Sequence, residues 1–255
     1  MVEIKTDGEL GAMRESGRVV ARALAAVRER AVAGVTLTEL DEVARTVIFE
    51  AGATAPFLNY KPVFAPTPFP AVICASVNDV LVHGIPDGYR LRPGDLVSID
   101  CGARLDGWTG DSAISFTVGP ARPEDAELIE TTERALRAGI AAAVPGGRIG
   151  DIGHAVGTIG KDRRWGIPTD FGGHGIGRHM HEDPHVPNRG KPGRGMRLRH
   201  GMVLAIEPMF MAGGDDRYRV ASDGWALRTF DGSRAAHAEH TVAVTDDGPR
   251  VLTLL

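Results

Sequence analysis

Apolar positions recur at helical spacing over Met13–Ala31 and again over Ala126–Ala143, without an interior proline, so each stretch is predicted to be an amphipathic helix. Each is followed by a turn and a second helical pattern, VAGVTLTELDEVA at 32–44 and VPGGRIGDIGHAV at 144–156. Strand-like runs come next. Leu91–Asp100 reads LRPGDLVSID and Leu198–Glu207 reads LRHGMVLAIE, each with Leu-Arg-x-Gly, a buried-strand pattern and a terminal carboxylate. Helix, turn, helix, strands therefore occurs twice. Two amphipathic helices match easily by chance, but acids placed at corresponding strand ends are harder to obtain that way. The expectation is one domain over residues 1–255 with pseudo-repeats at about 8–118 and 124–245, related by a pseudo-two-fold axis.

The 255 residues, 43% of them hydrophobic, suffice for one large domain or two small ones. Net charge is −4, so no basic excess points to DNA or RNA. The N-terminus MVEIKTDGEL lacks an apolar stretch behind a charged start, and no apolar run reaches spanning length. Cys74 and Cys101 form neither a CxxC nor a disulfide framework. A reduced, cytoplasmic, soluble protein without membrane contact is expected.

Leu96–Gly102 and Asp111–Val118 are strand-like, with Asp106-Gly107 as a turn signal between them. A four-residue loop at 104–107 would pair 103 with 108, and so set Asp100 opposite Asp111. Like charges directly opposite destabilise a hairpin unless a cation bridges them. The second half also has acids at strand ends, Glu207 before Pro208 and Glu239 before HTVAV. Four converging carboxylates and one imidazole would form an oxygen-rich bed for two metals.

The imidazole is expected from GGHGIGRHMHEDPH. A looped backbone would bring one of His174 and His181 to the metals and leave the other to face substrate. His179 and His185 are rivals expected to face solvent, His83 precedes a Gly-Ile-Pro-Asp-Gly turn, and His154 lies on a helix face with no role. The string His181–His185 is also a literal H-E-x-x-H, the mark of a zinc protease when it is helical. Pro184 inside it would cost a helix roughly 3 kcal/mol, which argues against that reading.

Five blocks in order carry a family resemblance: FPAVICASVNDVLVHGIPD, GDLVSIDCGARLDGWTGDSAISFTVG, GGHGIGRHMHEDP, GMVLAIEP and DGWALRTFDGSRAAHAEHTVAVT. Together they resemble the type I methionine aminopeptidases over nearly the whole chain. The resemblance implies an α+β pita-bread fold, in which two pseudo-symmetric halves have helices covering a curved antiparallel sheet. It implies Asp100, Asp111, His174, Glu207 and Glu239 as ligands of two divalent ions, drawn from Co, Mn, Fe or Zn. His83 and His181 become substrate-facing histidines, and Phe69, Cys74 and Trp225 the methionine pocket. Where the family often has Phe, this chain has Met180, a softer wall for the same pocket. The stretch NYKPVFAPTPFP at 59–70 is longer and richer in proline than usual and is expected to reshape the pocket rim.

The implied activity is removal of N-terminal Met from nascent proteins when the second residue is small. A metal pair would supply a bridging hydroxide to attack the scissile carbonyl. Glu207 would orient and deprotonate that water, His181 would donate to the developing oxyanion, and His83 would assist near the amide nitrogen. The substrate α-amine would bind one metal, which restricts the enzyme to chain ends. Two rivals share the fold. An Xaa-Pro peptidase would need an extra N-terminal domain, for which residues 1–30 leave no room. A catalytically silent binding protein would have lost ligands, and all five are present. The basic loop NRGKPGRGMRLR at 188–199 reads as a solvated segment, with weak contact to the ribosome as the alternative. A monomer is expected.

Overall fold

Two reciprocal caps start the first two helices. The computed structural model describes residues 2–63 and 65–255, so Phe64 of the proline-rich stretch lies outside it. Thr6 accepts from Glu9 N–H while the Glu9 carboxylate accepts from Thr6 N–H, opening α1 (Asp7–Arg30). Thr36 and Glu39 repeat the arrangement ahead of α2 (Leu37–Glu50). Each box satisfies donors that a helix start otherwise leaves open. In the second half, Pro123 occupies the first turn of α3 (Pro123–Ala142), where its missing N–H has no consequence, and α4 (Ile149–Asp162) follows.

The strands of the first half are β1 (Ile73–Val77), β2 (Val80–Val82), β3 (Leu96–Leu105) and β4 (Trp108–Thr117). Those of the second are β5 (Gly172–Gly175), β6 (Glu182–Pro187), β7 (Val203–Ile206), β8 (Met209–Met211), β9 (Tyr218–Val220), β10 (Leu227–Thr229), β11 (Ala235–His237), β12 (Glu239–Thr245) and β13 (Gly248–Val251). The main sheet runs β1-β3-β4-β12-β7-β5-β6, with β13 on β12, and every pairing is antiparallel. Small ribbons β2-β10-β9 and β11-β8 flank it. The architecture is α+β, with four helices, among the described residues, packed on a curved antiparallel sheet.

The halves join where β4 meets β12. Ladder pairing there covers only Glu239 with Ala113 and His240 with Ser112. Side chains extend the seam. Thr241 Oγ1 accepts from Asp111 N–H and donates to Asp111 C=O, at 2.9 and 2.8 Å, and Ser112 Oγ donates to Glu239 C=O at 2.6 Å. The backbones of two candidate ligands are thus clamped across the join.

One register differs from expectation. Asp106 and Gly107 both have positive φ, 50° and 81°, and form a two-residue turn, so Leu105 pairs with Trp108. Such a turn matches the twist of its strands, which a longer loop need not. Asp100 therefore faces Ala113, and Asp111 faces Gly102. The two acids are diagonal neighbours rather than direct partners. Residues two apart on a strand share a face, so both carboxylates still project to the same side.

A candidate metal centre and its pocket

At the centre of the sheet, β3 and β4 from one half and β5, β7 and β12 from the other converge on a cavity of about 360 Å³. Asp100, Asp111, His174, Glu207 and Glu239 all line it. Ligand atoms of Asp111, His174 and Glu239 lie within 4.8 Å of one another. His174 Nε2 stands 3.8 Å from Asp111 Oδ2 and 3.7 Å from Glu207 Oε1. Its Nδ1 donates to the Gly175 carbonyl at 2.9 Å, which leaves Nε2 as the lone-pair nitrogen facing the acids. Gly173 permits the close packing here: a Cβ on it would lie 2.0 Å from the Ala205 carbonyl oxygen of β7.

The charge balance asks for a cation. Asp111 and Glu239 are almost fully buried, and Asp100 Oδ1, Asp111 Oδ1 and Glu239 Oε1 have no hydrogen-bond partner among the described residues. Burial pushes the Asp100 carboxyl up to about 7. Burial and the neighbouring carboxylates push Asp111 and Glu239 well above the usual range. Burial acts to raise Glu207 too, but the His237 and His174 imidazoles hold it below its ordinary value. Buried acids with open oxygens are costly unless something positive meets them. Four carboxylates and one imidazole fit a divalent ion that prefers oxygen.

The other end of the cavity is apolar. Phe69 meets Trp225 edge-on at 5.0 Å and Phe57 at 6.5 Å. Trp225 is held by a hydrogen bond from Nε1 to the Thr67 carbonyl at 3.0 Å. Cys74, opposite Asp100 in the β1–β3 ladder, completes the wall; burial, with Asp100 adding, pushes its thiol up, so it remains an uncharged, apolar surface. The proline-rich stretch folds back on itself through Asn59 N–H to Phe69 C=O and Phe69 N–H to Tyr60 C=O, both 2.8 Å. That return puts Phe69 in the wall and Tyr60 at the rim, 5.3 Å from the His181 ring.

His83 and His181 line the cavity between metal end and apolar end. Burial lowers each to about 4, with the nearby His174 assisting at His181, so both imidazoles are neutral at pH 7. His181 opens to solvent at the mouth and lies 4.4 Å from the His174 ring, centroid to centroid.

Met180 departs from the expected pocket. It is buried in the cluster behind the wall, with its methyl where a Cβ on Gly102 would fall, beside Pro56 and Phe57, and it does not line the cavity. His181 is the neighbour that turns inward. The HEDPH string is no helix: Glu182–Pro187 is β6, paired with β5. Glu182 is tied to the buried Lys5 at 3.0 Å and to His179 N–H at 3.0 Å. His185, expected in solvent, pairs with His174 and reaches the cavity mouth although exposed. His179 is exposed, and His154 is exposed on α4. The basic loop after Asn188 lies on α4, where Gly150 and Gly153 meet its backbone carbonyls.

Sequence reasoning missed Phe57, Tyr60, Phe171 and Met209 in the lining, and His237 beside the acids. His237 left a signal: it stands two residues before Glu239, the spacing of one strand face.

The model of metallopeptidase family M24 matches residues 11–246. The chain belongs to this family. A curated relative, methionine aminopeptidase 1 of Mycobacterium tuberculosis, is 53% identical over 100% of this chain and 96% of its own length. The crystal structure of the methionine aminopeptidase of Thermotoga maritima superposes with a TM-score of 0.95, at 38% identity and 100% coverage of both chains. The prolidase of Pyrococcus furiosus shares the fold, with a TM-score of 0.79 at 23% identity, and this chain spans 65% of it. The M24 chain thus has the pita-bread architecture. No helix among its described residues is long and apolar enough to cross a membrane.

Proposed function

We propose that this M24 chain is a cytoplasmic, monomeric enzyme that removes the N-terminal methionine of nascent proteins when the second residue is small. One observation carries the reading: five candidate ligands stand at one end of a cavity whose other end is walled by Phe69, Cys74 and Trp225. Such an apolar slot beside the ligands suits one straight thioether side chain. The whole chain acts as one catalytic domain built from two similar halves, about 8–118 and 124–245.

Asp100, Asp111, His174, Glu207 and Glu239 would hold two divalent ions, which when bound supply Lewis acidity and an activated water. Glu207 orients the attacking water and takes its proton. His181, neutral and at the mouth, donates a hydrogen bond to the scissile carbonyl as negative charge grows on it. His83, neutral and between the slot and the acids, supports the amide nitrogen on the leaving side. The aromatic wall excludes water and sets which residue is removed. The exposed basic loop at 188–199 is the surface for any weak ribosome contact.

The test is release of Met from Met-Ala-Ser by protein loaded with Mn, Co or Fe, beside Met-Leu-Ser and an Xaa-Pro peptide. Release from the first alone is expected. Cleavage of the Xaa-Pro peptide in preference would replace this reading with that of a prolidase. His181→Ala should lower turnover by about 10²–10³-fold with metal content nearly unchanged. An emptied metal centre in that variant would make His181 a ligand and reopen the role of His174.

A further inference from the structure

We propose that His237 is a positioning residue of the metal centre: its Nε2–H is directed at Oε2 of Glu207 and reserves Oε1, on the His174 side, for the cation. This rests on the metal-centre reading above. His237 is 2% exposed, and its Nε2 has no hydrogen-bond partner among the described residues. What that nitrogen faces is Oε2 of Glu207 at 3.6 Å and Oε2 of Glu239 at 3.8 Å. These separations exceed hydrogen-bond length, yet a buried imidazole nitrogen turned toward two carboxylates has a clear complement.

The ring is rooted firmly. Ser115 Oγ accepts from His237 N–H at 3.0 Å and donates to His237 C=O at 2.7 Å. Ser98 Oγ, 2.7 Å from Ser115 Oγ and its register partner in the β3–β4 ladder, completes the relay. On the other side, His237 pairs with Met209 in the β11–β8 ribbon. Bonds to the His237 main chain on both sides hold the backbone that carries the imidazole.

Glu207 shows why this is positioning rather than ligation. Its two oxygens are divided: Oε1 lies 3.7 Å from His174 Nε2, and Oε2 turns to His237. His237 Nε2 lies on the Oε2 side of Glu207, away from the Oε1 that faces His174, whose Nε2 converges with the ligand atoms of Asp111 and Glu239. With Oε2 facing the imidazole, Oε1 is the oxygen left open to a cation. Partners of this kind orient ligands, and their loss typically changes metal affinity or activity by 10–100-fold. The role requires the tautomer with hydrogen on Nε2.

Metal-free protein of His237→Leu, which keeps bulk but no donor, and of His237→Gln, which keeps an N–H, should be titrated calorimetrically with Mn(II). The same proteins are loaded with Co(II) for absorption spectra, and kcat and KM are measured on Met-Ala-Ser. The leucine variant should lose about 10–100-fold in Mn(II) affinity or kcat, with KM little changed. The glutamine variant should recover to within a few-fold of the parent, with the parent's Co(II) spectrum. His237→Ala replaces leucine if that variant does not fold. A glutamine variant no better than leucine overturns the proposal: a changed Co(II) spectrum would then mark a metal-ligating imidazole, and an unchanged one a demand for ring shape alone. Parental affinity and kcat in the leucine variant would reduce His237 to a spacer. Mn(II) affinity and Co(II) spectra need no peptide, so they remain decisive even if no Met is released, a result that would count against the peptidase reading instead.

Discussion

Glu182→Ala separates structure from chemistry within the HEDPH string. Glu182 lies beside the candidate centre, but its carboxylate is committed to Lys5 Nζ at 3.0 Å and to His179 N–H. The Lys5 side chain is 2% exposed and the Glu182 side chain 15%. Removing one partner of a buried pair strands the other charge, at about 3–5 kcal/mol. Here Glu3 Oε2 also lies 3.6 Å from Lys5 Nζ and retains part of the compensation, so about 2–3 kcal/mol is expected. For a chain of this size that loss lowers the melting temperature by about 4–12 °C. Lys5→Met added to Glu182→Ala should recover part of it, since no charge is then buried alone. Turnover at 25 °C and matched metal content should fall only a few-fold, against the 10²–10⁴-fold loss expected when Glu207→Ala removes a general base. Calorimetric melts and Met release from Met-Ala-Ser measure the two effects. A folded, metal-replete Glu182→Ala protein that is dead, beside an active Glu207→Ala protein, would refute the assignment of roles.

Two further outcomes follow from the same geometry. In metal-free protein burial raises the Asp100 carboxyl to about 7 and raises those of Asp111 and Glu239, while it lowers His83, His181 and His240 to about 4. The two sets oppose each other below about pH 6.5, and above it the carboxyls alone make the folded state bind more protons than the unfolded chain. Stability after chelation should therefore fall as pH rises from about 6.5 to 8, and Mn(II) should restore it at pH 8; a flat profile over that range in scanning calorimetry would mean the acids are not strained by burial. Met180→Ala should cost about 2–5 kcal/mol of stability by opening a cavity against Gly102, Pro56 and Phe57, while KM for Met-Ala-Ser changes less than about threefold, because the side chain lies behind the pocket wall. A large rise in KM with an unchanged melt would put Met180 back in the pocket.

The helical periodicities are local, and both halves of the chain declared their helices through them; the Thr-x-x-Glu caps that open α1 and α2 are local too. Asp100, Asp111, Glu207 and Glu239 were legible because acids at the ends of buried-strand patterns conflict with burial, and a repeated conflict suggests a common cation. Register was less accessible. Whether Asp106-Gly107 formed a two- or four-residue loop decided which residues faced which, and backbone twist settled it in favour of the shorter turn. Side-chain direction in the histidine loop depended on packing: Met180 went behind the wall against the bare Cα of Gly102, and so His181 faced the cavity. Phe57, Tyr60 and Phe171 come from loops with no period, and their place in the lining exists only once those loops close over the sheet. His237 lay between these cases. Its spacing from Glu239 was written in the chain, but its open nitrogen and its two carboxylate neighbours arise from contacts between elements far apart in sequence, which local patterning does not encode.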